Sequence, residues 1–344
     1  MKRYLHLIIY MASLQDIATK VGVSKGTVSL VLSGKAGKRV SATTREAVIQ
    51  AAREMNYQIN EVARSLRTGR TKIIGVIVTD ISNEFFGSLT LYIQQEAKKY
   101  GYLVITANSN ENTQELNDIV NLLINKKVDG LIVVPTVNGQ KILQNILDKG
   151  IPLVQVDRYY KGIDADYVGV NNYGTSVNAI QNLITIGCRR IGMICYDLNL
   201  NVLKERRQAY IDVLKNNQML DMTLVKDIQY DEQENQIKDA VIQLLGGENR
   251  VDAVFFCSRR VFITAIKYIN FFGIQLNKNQ HLVCFDEVEG LLSSQGKIHF
   301  IKQPIQELAI KSLHLLIDKI NGSKDCGNYL FEARETTPGD QRNA

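Results

Sequence analysis

The sequence predicts an amino-terminal all-α helix-turn-helix domain followed by an α/β domain of two lobes, each a parallel, doubly wound sheet. Three observations predict it. Residues 1–70 carry twelve Lys/Arg against four acids, a surplus of eight, whereas the whole 344-residue chain nets +6, so the remainder nets −2. A basic segment beside a near-neutral body reads as a polyanion-binding module attached to something else. Apolar residues of the first 60 positions recur at helical spacing in three short stripes. From Ile73 onward, short apolar runs alternate with helical patterns, as parallel sheets flanked by helices require.

Composition removes other classes. Hydrophobic residues at 45% and charged residues at 22% are ordinary for a folded chain and too apolar for a disordered one. Cys188, Cys195, Cys257, Cys284 and Cys326 are odd in number and form no CxxC pair, so neither a disulfide framework nor a zinc signature appears. A reducing, cytoplasmic setting with no metal and no cofactor is expected. Met1 to Met11 begins with two cations before an apolar run, but His6 interrupts the run and no A-x-A site follows. Residues 1–12 therefore read as a disordered tail rather than a leader, with Met11 an alternative start. No stretch of 18 apolar residues exists, so no membrane partner is expected.

The helical unit spans residues 13–59. Leu14, Ile17, Ala18 and Val21 fall at i, i+3, i+4, i+7 behind Ser13, with Asp16 completing an S-x-x-D capping box and Gly22 ending the helix. Val28, Val31 and Leu32 stripe a second helix capped by Ser24, and Val48, Ala51, Ala52 and Met55 a third starting near Ser41. The tight link Val21-Gly22-Val23-Ser24 is that of a helix-turn-helix, whose second helix would present Lys25, Gly26, Ser29 and Leu30 to the major groove. A purely structural three-helix bundle fits the stripes as well; the basic surplus favours DNA. The loop Ser33 to Arg39 lacks GxxxxGK[ST] and follows a helix, so Lys35, Lys38 and Arg39 read as contacts to the DNA backbone. Asn60 to Gly69 has an N-cap, a glycine stop and Val62, Ala63 and Leu66 along one face. At about two turns it is too short to be stable alone.

Those residues carry a resemblance. Ser13-Leu14-Gln15-Asp16-Ile17-Ala18, Gly22 through Ser29, Thr44-Arg45-Glu46, Asn56-Tyr57, Ala63 through Thr71 and Ile74-Gly75 resemble the lactose/galactose-repressor (LacI/GalR) family of bacterial regulators, over residues 13 to about 335. The resemblance implies a homodimer that binds double-stranded operator DNA. It implies contacts from Ser13, Leu14, Ser24, Lys25, Gly26, Thr27, Ser29 and Thr44, and a hinge helix over 60–70 that wedges Leu66 into the minor groove. It also implies that 71–344 is a periplasmic-binding-protein-like domain for effector binding and dimerisation. Leu30 departs from the polar residue the family often places there, and the loop after it is longer than in many relatives.

In the body, Ile73–Thr79, Tyr102–Ala107, Gly130–Val134 and Pro152–Val156 read as strands, with helices near 85–100, 114–126 and 139–149. Ile191–Cys195, Leu224–Gln229, Ala253–Phe256 and His281–Phe285 read as a second series. Ligands of open α/β sheets bind beyond the carboxyl ends of strands, which nominates Asp80, Asn83, Phe85, Phe86, Asp157, Arg158 and Asp286. On the residues alone, Phe85-Phe86 fits a core pair and Asp157-Arg158 a surface ion pair. The resemblance implies instead a sugar-like effector held there, with Arg206 of the stretch Arg206-Arg207-Gln208-Ala209-Tyr210 and with Gln303 beside Pro304. Ser258-Arg259-Arg260 stands where many relatives have Asn-Asp. With Arg158 and Arg206, Arg259 would leave several cations without matched acids and favour a sugar phosphate or sugar acid. The alternative is that Arg259 or Arg260 points to solvent or pairs with a local acid. His6, His281, His299 and His314 are unclustered, and no GxSxG, HExxH or GxGxxG occurs, so no enzyme is expected. Two alternatives stay open: an effector-independent DNA-binding regulator with a degenerate pocket, and a sugar-binding or carbohydrate-processing enzyme with an accessory DNA module.

Overall fold

The structure, a computed structural model, describes residues 12–57, 65, 68–288, 297–323 and 327–336. The chain divides into two compact units, residues 1–71 and 72–344. Of the tail expected over 1–12, residues 1–11 fall outside the described residues, as does the wedge expected at Leu66.

The first unit packs α1 (Leu14–Val21), α2 (Lys25–Leu32) and α3 (Ala42–Glu54) around Ile17, Ala18, Val28, Val31, Val48, Ala51 and Ala52. Gly22 stops α1 because it alone readily takes φ 73°, which lets its N–H close onto Ala18 and turns the chain directly into α2. Ser65 and Thr68 are helical, and Gly69 at φ 68° donates to the Ser65 carbonyl, the glycine stop the sequence predicts.

The second unit holds two six-stranded sheets. One has the order β11-β5-β4-β3-β1-β2, built from β1 (Ile73–Val78), β2 (Leu103–Asn108), β3 (Gly130–Val133), β4 (Leu153–Val156), β5 (Asp166–Val170) and β11 (Asn328–Phe331), all parallel. The other has the order β12-β10-β9-β8-β6-β7, from β6 (Ile191–Tyr196), β7 (Val225–Ile228), β8 (Ala253–Phe256), β9 (His281–Phe285), β10 (Lys297–Lys302) and β12 (Arg334–Thr336). It is parallel except for the antiparallel edge strand β12.

Strand alternation feeds a core on each face of the first sheet. Ile74, Val76, Val78, Ile132 and Val154 meet Phe86, Leu89 and Ile93 of α4 (Glu84–Lys99) and Leu308, Leu313 and Leu316 of α11 (Ile305–Ile320). Ile77, Leu131, Val133 and Leu153 meet Leu116, Val120 and Leu123 of α5 (Thr113–Asn125) and Leu143 and Ile146 of α6 (Gln140–Asp148). Gly75 permits this closeness: a Cβ there would stand 2.5 Å from Leu131 Cδ2 and 2.8 Å from Leu123 Cδ1. The second lobe adds α7 (Asn172–Thr185), α8 (Asn201–Asn216), α9 (Gln233–Leu245) and α10 (Arg259–Phe271) around its own core.

The chain crosses between lobes after β5, at Gln303-Pro304 and between β11 and β12. The crossings explain strands that the sequence reading missed. β11 is an edge strand with three of its four residues exposed, so it shows no apolar run, and β5 carries Asp166 and Gly169 among its apolar residues. Among the described residues no helix is long and apolar enough to cross a membrane.

Candidate functional site

In the first unit, Ser13 Oγ accepts from the Asp16 N–H at 3.3 Å while the Asp16 carboxylate accepts from the Ser13 N–H at 2.8 Å, the reciprocal box read from the spacing. Ser24 Oγ accepts from the Thr27 N–H at 3.1 Å, and Ser41 Oγ from the Thr44 N–H at 3.1 Å. Ser13 and Ser24 thus fix helix starts, and both remain exposed; Leu14 packs half-buried against the core. Lys25 and Gly26 are exposed at the start of α2, Thr27 and Ser29 are half-buried, and Lys35, Lys38 and Arg39 are exposed in the loop that follows. No acid occurs between Asp16 and Glu46, so the exposed start of α2 and the loop after it carry cations only. A polyanion gains there from charge and from the amino end of α2 together.

In the second unit, the carboxyl ends of strands from both sheets line one cavity of about 100 Å³. Asp157 and Asp286 close β4 and β9 in left-handed conformation, at φ 66° and 72°. Such backbone costs about 1–3 kcal/mol in a non-glycine residue and gathers at functional positions. Burial drives the Asp157 carboxyl up to about 6; Arg158 and Arg206 oppose the rise, while Asp286 and Glu111 reinforce it. Burial also raises Asp286, against Arg206, a 2.6 Å hydrogen bond from Gln303 Nε2, and Arg259.

Arg206, on α8, is nine-tenths buried and held on three sides. Nε donates to Asn172 Oδ1 at 2.8 Å, Nη1 donates to the Cys257 carbonyl at 2.7 Å, and the guanidinium lies 3.5 Å from the Phe285 ring centroid. Arg158 donates twice to Glu111, at 2.8 and 2.7 Å. Arg259 Nη2 donates to Glu84 at 2.5 Å, and Arg260 Nη1 lies 3.8 Å from Asp80. Aromatic faces complete the cavity: Phe85 and Phe86 meet edge to face at 5.1 Å, and Tyr196 and Tyr230 lie 5.5 Å apart. Asn83 caps α4 by accepting from the Phe85 N–H and also lines the cavity. All the residues expected at the effector converge here, and Phe85 and Phe86 are core and lining at once.

Comparison with known proteins agrees with both halves. The family description "Bacterial regulatory proteins, lacI family" matches residues 13–60, and "Periplasmic binding protein domain" matches residues 74–324. The chain belongs to the LacI family. It is a DNA-binding transcriptional regulator. A ribose operon repressor of Halalkalibacterium halodurans is 29% identical over 335 residues, covering 96% of this chain and 98% of that protein. The transcriptional repressor PurR of Pasteurella multocida is 26% identical, covering 90% and 92%. Among solved structures, the Lac repressor dimer bound to operator and the anti-inducer ONPF superposes with a TM-score of 0.81 at 21% identity, covering 95% and 98%. A putative ribose operon repressor from Burkholderia thailandensis gives 0.70 at 25%, covering 78% and 100%.

Two expectations for this LacI-family chain are corrected. The arginines of the cleft do not lack acids: Arg158 has Glu111, Arg259 has Glu84, Arg260 has Asp80, and Arg206 lies in the field of Asp157 and Asp286. Glu111 escaped the sequence reading because it follows β2 by three residues and pairs across 47 positions; Tyr196 is the last residue of β6 and Tyr230 lies two residues past β7. Applying the strand-end rule to every strand would have found all three. The histidines are not all separate either: His281 Nδ1 and His299 Nε2 lie 2.8 Å apart on β9 and β10. His281 begins β9, at the strand end opposite to Asp286, and burial with the neighbouring His299 drives it down to about 4, so it packs neutral within the lobe.

Proposed function

We propose that this chain is a repressor that binds its operator as a homodimer through residues 13–59 and a hinge over 60–70, and that residues 71–344 bind a neutral, single-ring sugar as effector. The observation that carries the effector assignment is the charge balance of the cavity. Asp80, Glu111, Asp157 and Asp286 stand against Arg158, Arg206, Arg259 and Arg260, between aromatic faces. Paired charges offer a hydroxyl both acceptors and donors, and no uncompensated cation calls for a phosphate. The small volume, below the roughly 300–1,000 Å³ of drug-sized sites, suits one ring. Relatives named ribose operon repressors support a pentose as first probe. A cytoplasmic setting and the absence of catalysis follow from the same reading. A degenerate pocket is disfavoured because Arg206 and both left-handed aspartates are held by specific bonds.

Calorimetry on the full chain with D-ribose and ribose 5-phosphate tests this. The neutral sugar binds more tightly; a phosphate that binds about tenfold better, the gain of one charge-assisted contact, overturns the assignment.

A further inference from the structure

The cleft is tied on both flanks by this chain's own side chains. On one flank, Arg259 and Arg260 from the first turn of α10 reach the opposite lobe, at Glu84 (2.5 Å) and Asp80 (3.8 Å). Arg259 is anchored behind by donating Nε to the Glu287 carbonyl at 3.3 Å. Arg260 rests on Tyr230, 3.1 Å from its hydroxyl oxygen and 5.4 Å from its ring centroid. On the other flank, the Tyr159 N–H donates to Asn201 Oδ1 at 3.1 Å and its hydroxyl to Glu205 at 3.4 Å. Asp80, Asn83, Tyr230, Arg259 and Arg260 also line a second, outer cavity of about 500 Å³, so the two arginine pairs form the partition between it and the inner cavity of about 100 Å³.

We infer that Arg259 and Arg260 are a gate rather than grips on the effector: their cross-lobe pairs hold the cleft closed by the chain's own charges and confine the effector to a single ring. Closure normally draws on contacts to the ligand, whereas here two ion pairs contribute without it. That makes the closed population sensitive to salt, since Arg260 is half exposed and Glu84 nearly so. Outside the partition lies room for a second ring, with Thr79, Asn110 and Thr264 along its wall; the hydroxyl of Thr79 is buried and has no hydrogen-bond partner. Removing Arg260 joins the two spaces.

The size selection rests on the effector reading proposed above; the closure does not, and the experiment separates them. Hydrogen exchange is read by mass spectrometry on the peptide 79–86, which carries Asp80 and Glu84, in full-length protein without sugar. Wild type is compared with Arg259→Gln/Arg260→Gln, both substitutions lying in the other lobe, and with Lys267→Gln on the exposed face of α10. At low salt the double variant exchanges roughly 2- to 20-fold faster, as two partly exposed pairs predict. Wild type approaches it in about 0.5 M salt, and Lys267→Gln behaves as wild type. Equal exchange in wild type and double variant at both salts overturns the gate. Calorimetry then compares D-ribose with a pentose disaccharide: wild type discriminates against the disaccharide, and Arg260→Ala narrows the ratio about tenfold or more. An unchanged ratio overturns the size selection. Faster exchange with no sugar bound by either protein supports the closure and overturns the effector reading instead.

Discussion

A carboxylate accepts hydrogen bonds from a sugar most strongly while ionised, and Asp157 sits where ionisation is costly. Burial places its carboxyl at about 6, despite Arg158 and Arg206. Above that pH the folded protein holds the carboxylate that the sugar needs, and below it a proton competes. Sugar affinity is therefore expected to be level from about pH 7 to 8 and to fall roughly tenfold per unit below about pH 6. Asp157→Asn weakens binding and abolishes the slope. Titrations from pH 5 to 8 decide this, and a slope that survives in Asp157→Asn assigns it to Asp286 or another group. At this scale the sequence was half legible. Residues adjacent to strand ends, such as Asp157 and Arg158, can be read from position alone. Glu84 and Asn172 act through partners 175 and 34 positions away, and only the assembled cleft reveals them.

Elements were more legible because their signals are local. The capping box at Ser13, the serine cap at Ser24 and the glycine stops at Gly22 and Gly69 lie within a turn of the helices they bound, and each acts in the structure as its spacing predicts; the third helix starts at Ser41, where it was expected. Edge strands such as β11 escaped because a half-solvated strand needs no apolar run. The caps also permit a separation of folding from binding in α2. Ser24→Ala removes the bond to the Thr27 N–H and is expected to cost about 1 kcal/mol of stability in the first unit. Lys25→Ala touches no such bond; it is expected to leave thermal unfolding unchanged while lowering the slope of log K against log salt for DNA by about 0.9. Melting curves beside DNA titrations at several salt concentrations check the pair. A Lys25→Ala variant with an unaltered salt slope would remove Lys25 from the phosphate contacts.

For the whole molecule, the charge partition was the most informative feature of the sequence. It announced two modules before any element was placed, and the matches at residues 13–60 and 74–324 follow the same division. Two lobes were readable from two series of strands; the three crossings between them were not, since a crossing is set by which sheet a strand joins. A neutral sugar in the cleft is expected to alter DNA binding by the amino-terminal unit. Fluorescence anisotropy decides it, with the full-length protein titrated onto double-stranded DNA that it has itself selected from a random pool, with and without saturating D-ribose. Coupling of ordinary strength changes the DNA Kd by about 5-fold or more. A DNA affinity unchanged within about twofold, with calorimetry showing the sugar bound, would contradict the account.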